Sequence, residues 1–215
     1  HLLYLIPTLH ARYARYGEVD EANLNFFETV TVPSAPPINQ AETDFIAETK
    51  LFDAPDTGQP WERIPNTVRE SVAYFEKKAS GESKWGKAVA PVDASAGRVV
   101  SWLFCSMSYE RIREHTKKNG NLLRTQIIVP KSHSMIAIAI IKSKGLSNRI
   151  FSVVFSWTKE TDGSYILAFG EMDKHENVGG SSAVAKANAI PKNNKDAPSA
   201  VRGSTGGFWR VKPLA

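Results

Sequence analysis

The stretch 149–171, RIFSVVFSWTKETDGSYILAFGE, reads as two strands joined by a tight turn. In its first half Phe151, Val153, Phe155 and Trp157 alternate with Ile150, Ser152, Val154 and Ser156. Successive side chains of a strand point to opposite faces, so each set shares a face. Thr161-Asp162-Gly163 is a turn by composition, because aspartate and glycine tolerate the backbone angles of short hairpin loops. Beyond the turn, Tyr165, Leu167 and Phe169 alternate with Ser164, Ile166 and Ala168. Residues 134–142 form a strand before it, with Ile136, Ile138 and Ile140 set against Met135, Ala137 and Ala139. The expectation is one sheet face lined by the large apolar groups of all three strands. A smaller, more polar set lines the other.

Outward from this core the pattern changes. Residues 122–129 make a further strand. Before them, the charged stretch 109–118 is helical and stops at Asn119-Gly120. Asp93 or Ser95 caps an earlier helix, in which Val99, Val100, Leu103 and Phe104 give the i, i+3, i+4 stripe of a packed face. Residues 71–78 and 84–92 read as a hairpin that turns at Ser80-Gly81. Downstream, 172–199 is rich in Gly, Ser, Ala, Asn and Lys without a clear period, and reads as a long loop. A last strand covers about 200–211. The N-terminal 60 residues read as a short helix near 8–16 followed by an irregular linker with proline clusters. A second short helix is expected near 40–52. The domain boundary is drawn at Trp61: 1–60 as extension, 61–215 as body. Helices segregated from an antiparallel meander make an α+β plan.

Charge divides along the same line. Residues 1–56 carry three Lys/Arg and nine Asp/Glu, a net −6; the remainder carries 24 and 13, a net +11. A basic body attracts anionic surfaces, so transient contact with a charged membrane is one expected partnership. A merely solvated basic surface is the other reading. The longest uncharged apolar run, 135–141, is too short to cross a bilayer. Residues 1–6 are apolar but lack the flanks of a signal peptide. The single Cys105 permits no internal disulfide and lies in an apolar run, which reads as a packed thiol in a reducing compartment.

Catalytic and cofactor chemistry finds little footing. None of His1, His10, His115, His133 and His175 stands at metal-ligand spacing with another donor. Ser132-His133-Ser134 is not a nucleophile–base pair, because such pairs are assembled in space rather than by adjacency. No glycine cluster is followed by the lysine of a phosphate loop, and no nucleic-acid-binding motif is present. No catalytic residue, metal or cofactor is expected.

Three segments carry a family resemblance. They are Gly145-Leu146-Ser147-Asn148-Arg149-Ile150-Phe151, then Trp157 with Asp162-Gly163-Ser164-Tyr165, then His175 with Ala200-Val201-Arg202-Gly203. In this order and spacing the region from Trp61 onward resembles the START family of lipid-transfer domains, most closely its divergent algal and protist members. The resemblance implies a helix-grip fold (START or Bet v 1-like). In that fold a curved antiparallel sheet wraps a long C-terminal helix, and a lipid lies between them. Ile150 stands where the family has Asp, and Asn177 where it has Pro. The chain starts at His1 without a methionine and stops at Ala215, before the implied lid helix, so the expectation is either a truncated piece or an N-terminal extension that takes the place of that helix.

The implied function is non-enzymatic binding of a sterol, phospholipid or other apolar ligand, in a cytoplasmic protein that touches membranes peripherally. The residues expected to line the cavity are Ile136, Ile138, Ile140, Arg149, Phe151, Val153, Phe155, Trp157, Tyr165, Leu167, Phe169 and Arg202. For Arg149 and Arg202 a purely structural role competes with ligand contact, as core packing does for Phe155 and Trp157. Arg111, Arg113, Lys117 and Lys118 could meet lipid headgroups, although Glu110 and Glu114 between them suit a solvated helix face. Two other functions stay open: an interaction module covered by another domain of a longer chain, and a cyclase- or hydratase-like enzyme on the same scaffold.

Overall fold

The computed structural model describes residues 37–51, 60–65, 72–78, 84–104, 109–129, 132–143, 145–192, 194 and 200–213. The expected helix at 8–16, the turn at 80–81 and Cys105 lie outside these residues.

Helix α1 (Gln40–Lys50) opens the described chain. Asn39 caps it: its Oδ1 accepts from the Glu42 amide at 2.9 Å, while Glu42 Oε2 accepts from the Asn39 amide at 3.0 Å. This reciprocal pair satisfies two of the donors a helix start leaves unpaired. Strands β1 (Glu62–Ile64), β2 (Ala73–Lys78) and β3 (Lys84–Val89) form a three-stranded antiparallel sheet. Helix α2 (Ala96–Phe104) follows, with Ser95 Oγ accepting from the Arg98 amide at 3.3 Å. Helix α3 (Tyr109–Asn119) ends at Gly120, whose φ of 66° breaks the helix and turns the chain into β4 (Asn121–Ile128).

The main sheet then builds as a meander through β5 (Ser134–Ile141), β6 (Arg149–Lys159) and β7 (Tyr165–Glu171). The β6–β7 hairpin turns at Gly163, φ 80°, and Asp162 Oδ1 accepts from the amide and the hydroxyl of Ser164 at 2.9 and 2.5 Å. The short β8 (Val201–Arg202) pairs in parallel with the start of β6. Strand β9 (Gly207–Val211) adds antiparallel to β7. The expected single last strand is therefore two: after Arg202 the chain leaves β6 and rejoins the sheet only at Gly207.

The expected loop at 172–199 is in large part helical. A 3-10 turn (Met172–Lys174), α4 (Glu176–Gly179) and α5 (Ser181–Lys192) occupy it. Ala183, Val184 and Ala187 form the buried stripe of α5 and pack on Ile136, Ile138 and Ile140. These small residues bring the helix close to the sheet, which is why their apolar period is faint in the sequence.

Register decides which side chains share a face. Met135 pairs with Phe155 and Ile136 with Val154, so the isoleucines of β5 stand beside Ile150, Ser152 and Val154, not beside Phe151, Phe155 and Trp157. The expectation of one large-residue face is corrected here: the register differs by one residue, and one residue moves a whole set to the other face. On the Ile136 face α5 covers β5, and α1 covers Val154, Ile166 and Ala168 with Phe45 and Ile46. On the Phe155 face α2 covers one end, where Val100 and Phe104 pack with Met135, Trp157, Tyr165 and Leu167.

Helix α1, which precedes Trp61 in the chain, packs on the same sheet. Phe45 and Ile46 are buried against the sheet, each worth roughly 1.5–3 kcal/mol of transfer free energy. Glu42, on the same helix, is fully buried and binds the β4–β5 connection: its Oε1 accepts from the His133 amide at 2.8 Å and the Ser134 hydroxyl at 2.6 Å. Residues 38–50 are part of the packed body.

Candidate functional site

Among the described residues, α2 is the helix that packs on the Phe155 face, and it covers one end. The side chains of this face fall in rows across the strands. Leu167 pairs with Trp157 and Trp209, and the next row is Ile128, Met135, Phe155, Phe169 and Gly207. Gln126, Ala137, Val153 and Glu171 make the row beyond, then Arg124, Ala139 and Phe151. Helix α2 sits over the Trp157 end. Away from it the large groups are only half-buried.

Three rings form a contiguous aromatic patch. Phe155 and Phe169 stack at 5.8 Å between centroids, Phe169 and Trp209 tilt at 4.6 Å, and Phe155 and Trp209 lie nearly parallel at 6.2 Å. Trp209 keeps 37% of its surface exposed. Large exposed aromatic surface costs hydration free energy, so an apolar occupant gains by covering it.

Glycines bring backbone against these rings. A Cβ on Gly203 would lie 2.3 Å from the Phe151 ring, and one on Gly207, φ 153°, would lie 3.1 Å from that of Phe169. Only glycine lets the 203–207 connection pass so close. Ser204 on this connection donates to Glu171 Oε1 at 2.5 Å, and Lys174 donates to the same oxygen at 2.7 Å. These two hydrogen bonds, Lys174 first, hold the Glu171 carboxyl below the usual carboxylate range.

The polar end of the face has groups without partners. Arg124 Nε and Gln126 Oε1 are buried with no hydrogen-bond partner. Burial lowers the Arg124 guanidinium from its ordinary value. The facing residues on β5 are Ala139 and Ala137, which offer only methyl groups.

The twelve residues expected to line a cavity divide accordingly. Phe151, Phe155 and Phe169 share the half-covered face, with Val153 and Arg149 on the same side of β6. Trp157, Tyr165 and Leu167 share that face but are sealed beneath α2. Ile136, Ile138 and Ile140 are buried under α5 on the opposite face. Arg202 pairs with Ile150 across β6 and β8, stands on that opposite side, and makes an ion pair with Asp173. Sequence reasoning misses Trp209, Arg124 and Gln126. Pairing β9 with β7 in register would find Trp209, while Arg124 and Gln126 look like the polar half of any amphipathic strand.

His133 is held structurally. Its ring stacks on Trp157 at 4.2 Å, and Nδ1 lies 3.0 Å from the Trp157 carbonyl. Among the described residues no helix is long and apolar enough to cross a membrane.

No family model matches the sequence, and no curated protein does. Solved structures match by shape. A STAR-related lipid transfer protein from Xanthomonas axonopodis aligns with a TM-score of 0.52 at 14% identity, over 72% of this chain and 75% of that one. Human StAR-related lipid transfer protein 5 aligns with a TM-score of 0.53 at 15% identity, over 81% and 74%. The chain therefore has a START-like α+β fold, as the sequence resemblance implied.

Proposed function

We propose that this chain is a lipid-binding module that holds an apolar ligand against the Phe155 face and catalyses no reaction. The observation that carries the reading is the half-exposed stack of Phe155, Phe169 and Trp209 on a face that α2 covers at one end only. The START-like fold supports it, since both matched structures are named as lipid transfer proteins. Each 100 Å² of apolar surface withdrawn from water contributes about 2.5 kcal/mol before ordering costs. A sterol or acyl chain lying across three rings thus has ample driving force. The proposed lining is Phe151, Val153, Phe155, Phe169 and Trp209, with Arg149 at the strand start. The exposed Arg113, Lys117 and Lys118 on α3 are suited to transient contact with an anionic membrane during exchange.

Native mass spectrometry of the purified chain, followed by solvent extraction, tests this directly. A released lipid supports the reading. An apo mass, with no uptake from a mixed lipid panel, sinks it. The half-covered face would then favour an interaction module, with protein lying over the same rings.

A further inference from the structure

Arg124 and Gln126 lie two residues apart on one strand and on one face, roughly 7 Å from each other along the chain direction. Both carry a buried polar atom with no hydrogen-bond partner, one a donor and one an acceptor. Among the described residues no carboxylate pairs with Arg124. Leaving a buried guanidinium nitrogen and a buried amide oxygen unsatisfied is costly, and native proteins rarely do so without a use for the group. The neighbours across β5, Ala139 and Ala137, are the smallest side chains on this face of the strand. Beyond them on β6 stand Phe151 and Val153, which lead to Phe155 in the aromatic patch. An unpaired guanidinium nitrogen, an unpaired amide oxygen and an apolar track therefore adjoin one another on one sheet face.

We infer that Arg124 and Gln126 form the headgroup subsite of the lipid site, and that the ligand is an amphiphile with an acidic carboxylate or phosphate head. The inference rests on the lipid-binding reading above. The guanidinium supplies planar paired donors that match a carboxylate or phosphate edge, while Gln126 Oε1 accepts from a head hydroxyl or its water. The tail lies over Phe151, Phe155 and Phe169. Specificity comes from the polar pair, because apolar surface alone discriminates weakly between tails.

The probe is cis-parinaric acid, a fluorescent polyene fatty acid, compared with its methyl ester at pH 8. Wild type binds the acid at least about tenfold more tightly than the ester, as a charge-assisted pair requires. Arg124→Met abolishes that preference and leaves ester affinity within about twofold, since the methionine keeps the apolar stem. Its unliganded melting temperature stays level or rises, because a buried nitrogen without a partner has been removed. Arg124→Lys, which keeps the charge and loses the fork, retains part of the preference. Lysophosphatidate displaces the bound acid better than a neutral monoacylglycerol if a phosphate head fits the same place. Equal affinity of wild type for acid and ester, or a preference that survives Arg124→Met, overturns the inference while the lipid site stands. If neither probe binds and a mixed lipid extract leaves nothing on the protein, the lipid-binding reading falls and takes this inference with it.

Discussion

Glu42 and Ser134, 92 residues apart in the chain, share a hydrogen bond of 2.6 Å with neither side chain exposed. The same carboxylate accepts from the amides of His133 and Asn39. It ties α1 to the connection between β4 and β5, behind the sheet that carries the aromatic patch. A helix from the acidic N-terminal part of the sequence is thereby built into the body.

Glu42→Ala strands three donors at once. We expect a loss of about 3 kcal/mol in urea unfolding, with Glu42→Gln costing less because one acceptor survives. Glu48→Gln, on the exposed side of the same helix, is the control and leaves the midpoint unchanged. A chain cut to begin at Trp61 loses Phe45 and Ile46 as well and does not reach the native far- and near-UV dichroism. A cooperative, equally stable 61–215 fragment would show that α1 is dispensable.

The fate of α1 shows what is legible in the sequence. Its position near 40–52 follows from local pattern, as do the strands, the Asp162-Gly163 turn and the stop at Gly120. Its role does not, because Glu42 finds its partners 92 residues away. The same limit explains the misplaced isoleucines. Alternation fixes which residues of one strand share a face, but pairing between strands depends on the 142–148 connection, and one residue there sends Ile136, Ile138 and Ile140 to the other side. Helix α5 hides for a different reason. Its buried stripe is Ala183, Val184 and Ala187, and such small residues give little periodic contrast against the Ser, Asn and Lys around them.

Gly203→Ala tests the close passage over Phe151. A methyl at 2.3 Å from the ring cannot be accommodated without displacement, so the substitution destabilises by about 1–3 kcal/mol. Phe151→Leu in the same chain relieves part of that loss, and a double-mutant cycle by thermal or urea unfolding gives a coupling above about 0.5 kcal/mol. Strict additivity would mean that the connection moves away freely.

His175 gives a pH dependence with a definite sign. Its ring lies 4.5 Å from Phe45, and burial holds its imidazole below the ordinary value of 6.5, with Glu48 opposing that shift more weakly. Between the lowered folded value and 6.5 the unfolded chain binds more protons than the native one. Stability therefore falls as pH drops through 6.5 and levels off below the folded value. Proton NMR titration of the His175 ring should give a midpoint under 6.5, and His175→Gln should flatten the stability profile in that window. A midpoint above 6.5 would reverse the sign and contradict the burial of the neutral ring.

The two faces of the sheet predict opposite responses to truncation. Ile138 is fully buried in a packed core beneath α5, so Ile138→Ala opens a cavity and costs about 2–5 kcal/mol. Whatever ligand affinity the surviving folded fraction shows should match wild type. Phe155 stacks on Phe169 and Trp209 without being sealed, so Phe155→Ala changes stability less, while it removes ring surface from the proposed lipid bed. If the bound tail covers about 60–80 Å² less apolar surface, cis-parinaric acid and its ester should both weaken roughly ten- to thirtyfold. Trp209→Ala should act in the same direction, since its ring completes the patch from β9. Fluorescence titration of the three variants beside their urea midpoints separates the two effects. Stability loss confined to Ile138→Ala and affinity loss confined to Phe155→Ala and Trp209→Ala assign the ligand to the Phe155 face. The opposite assignment would put the ligand beneath α5 and require that helix to open for lipid to enter.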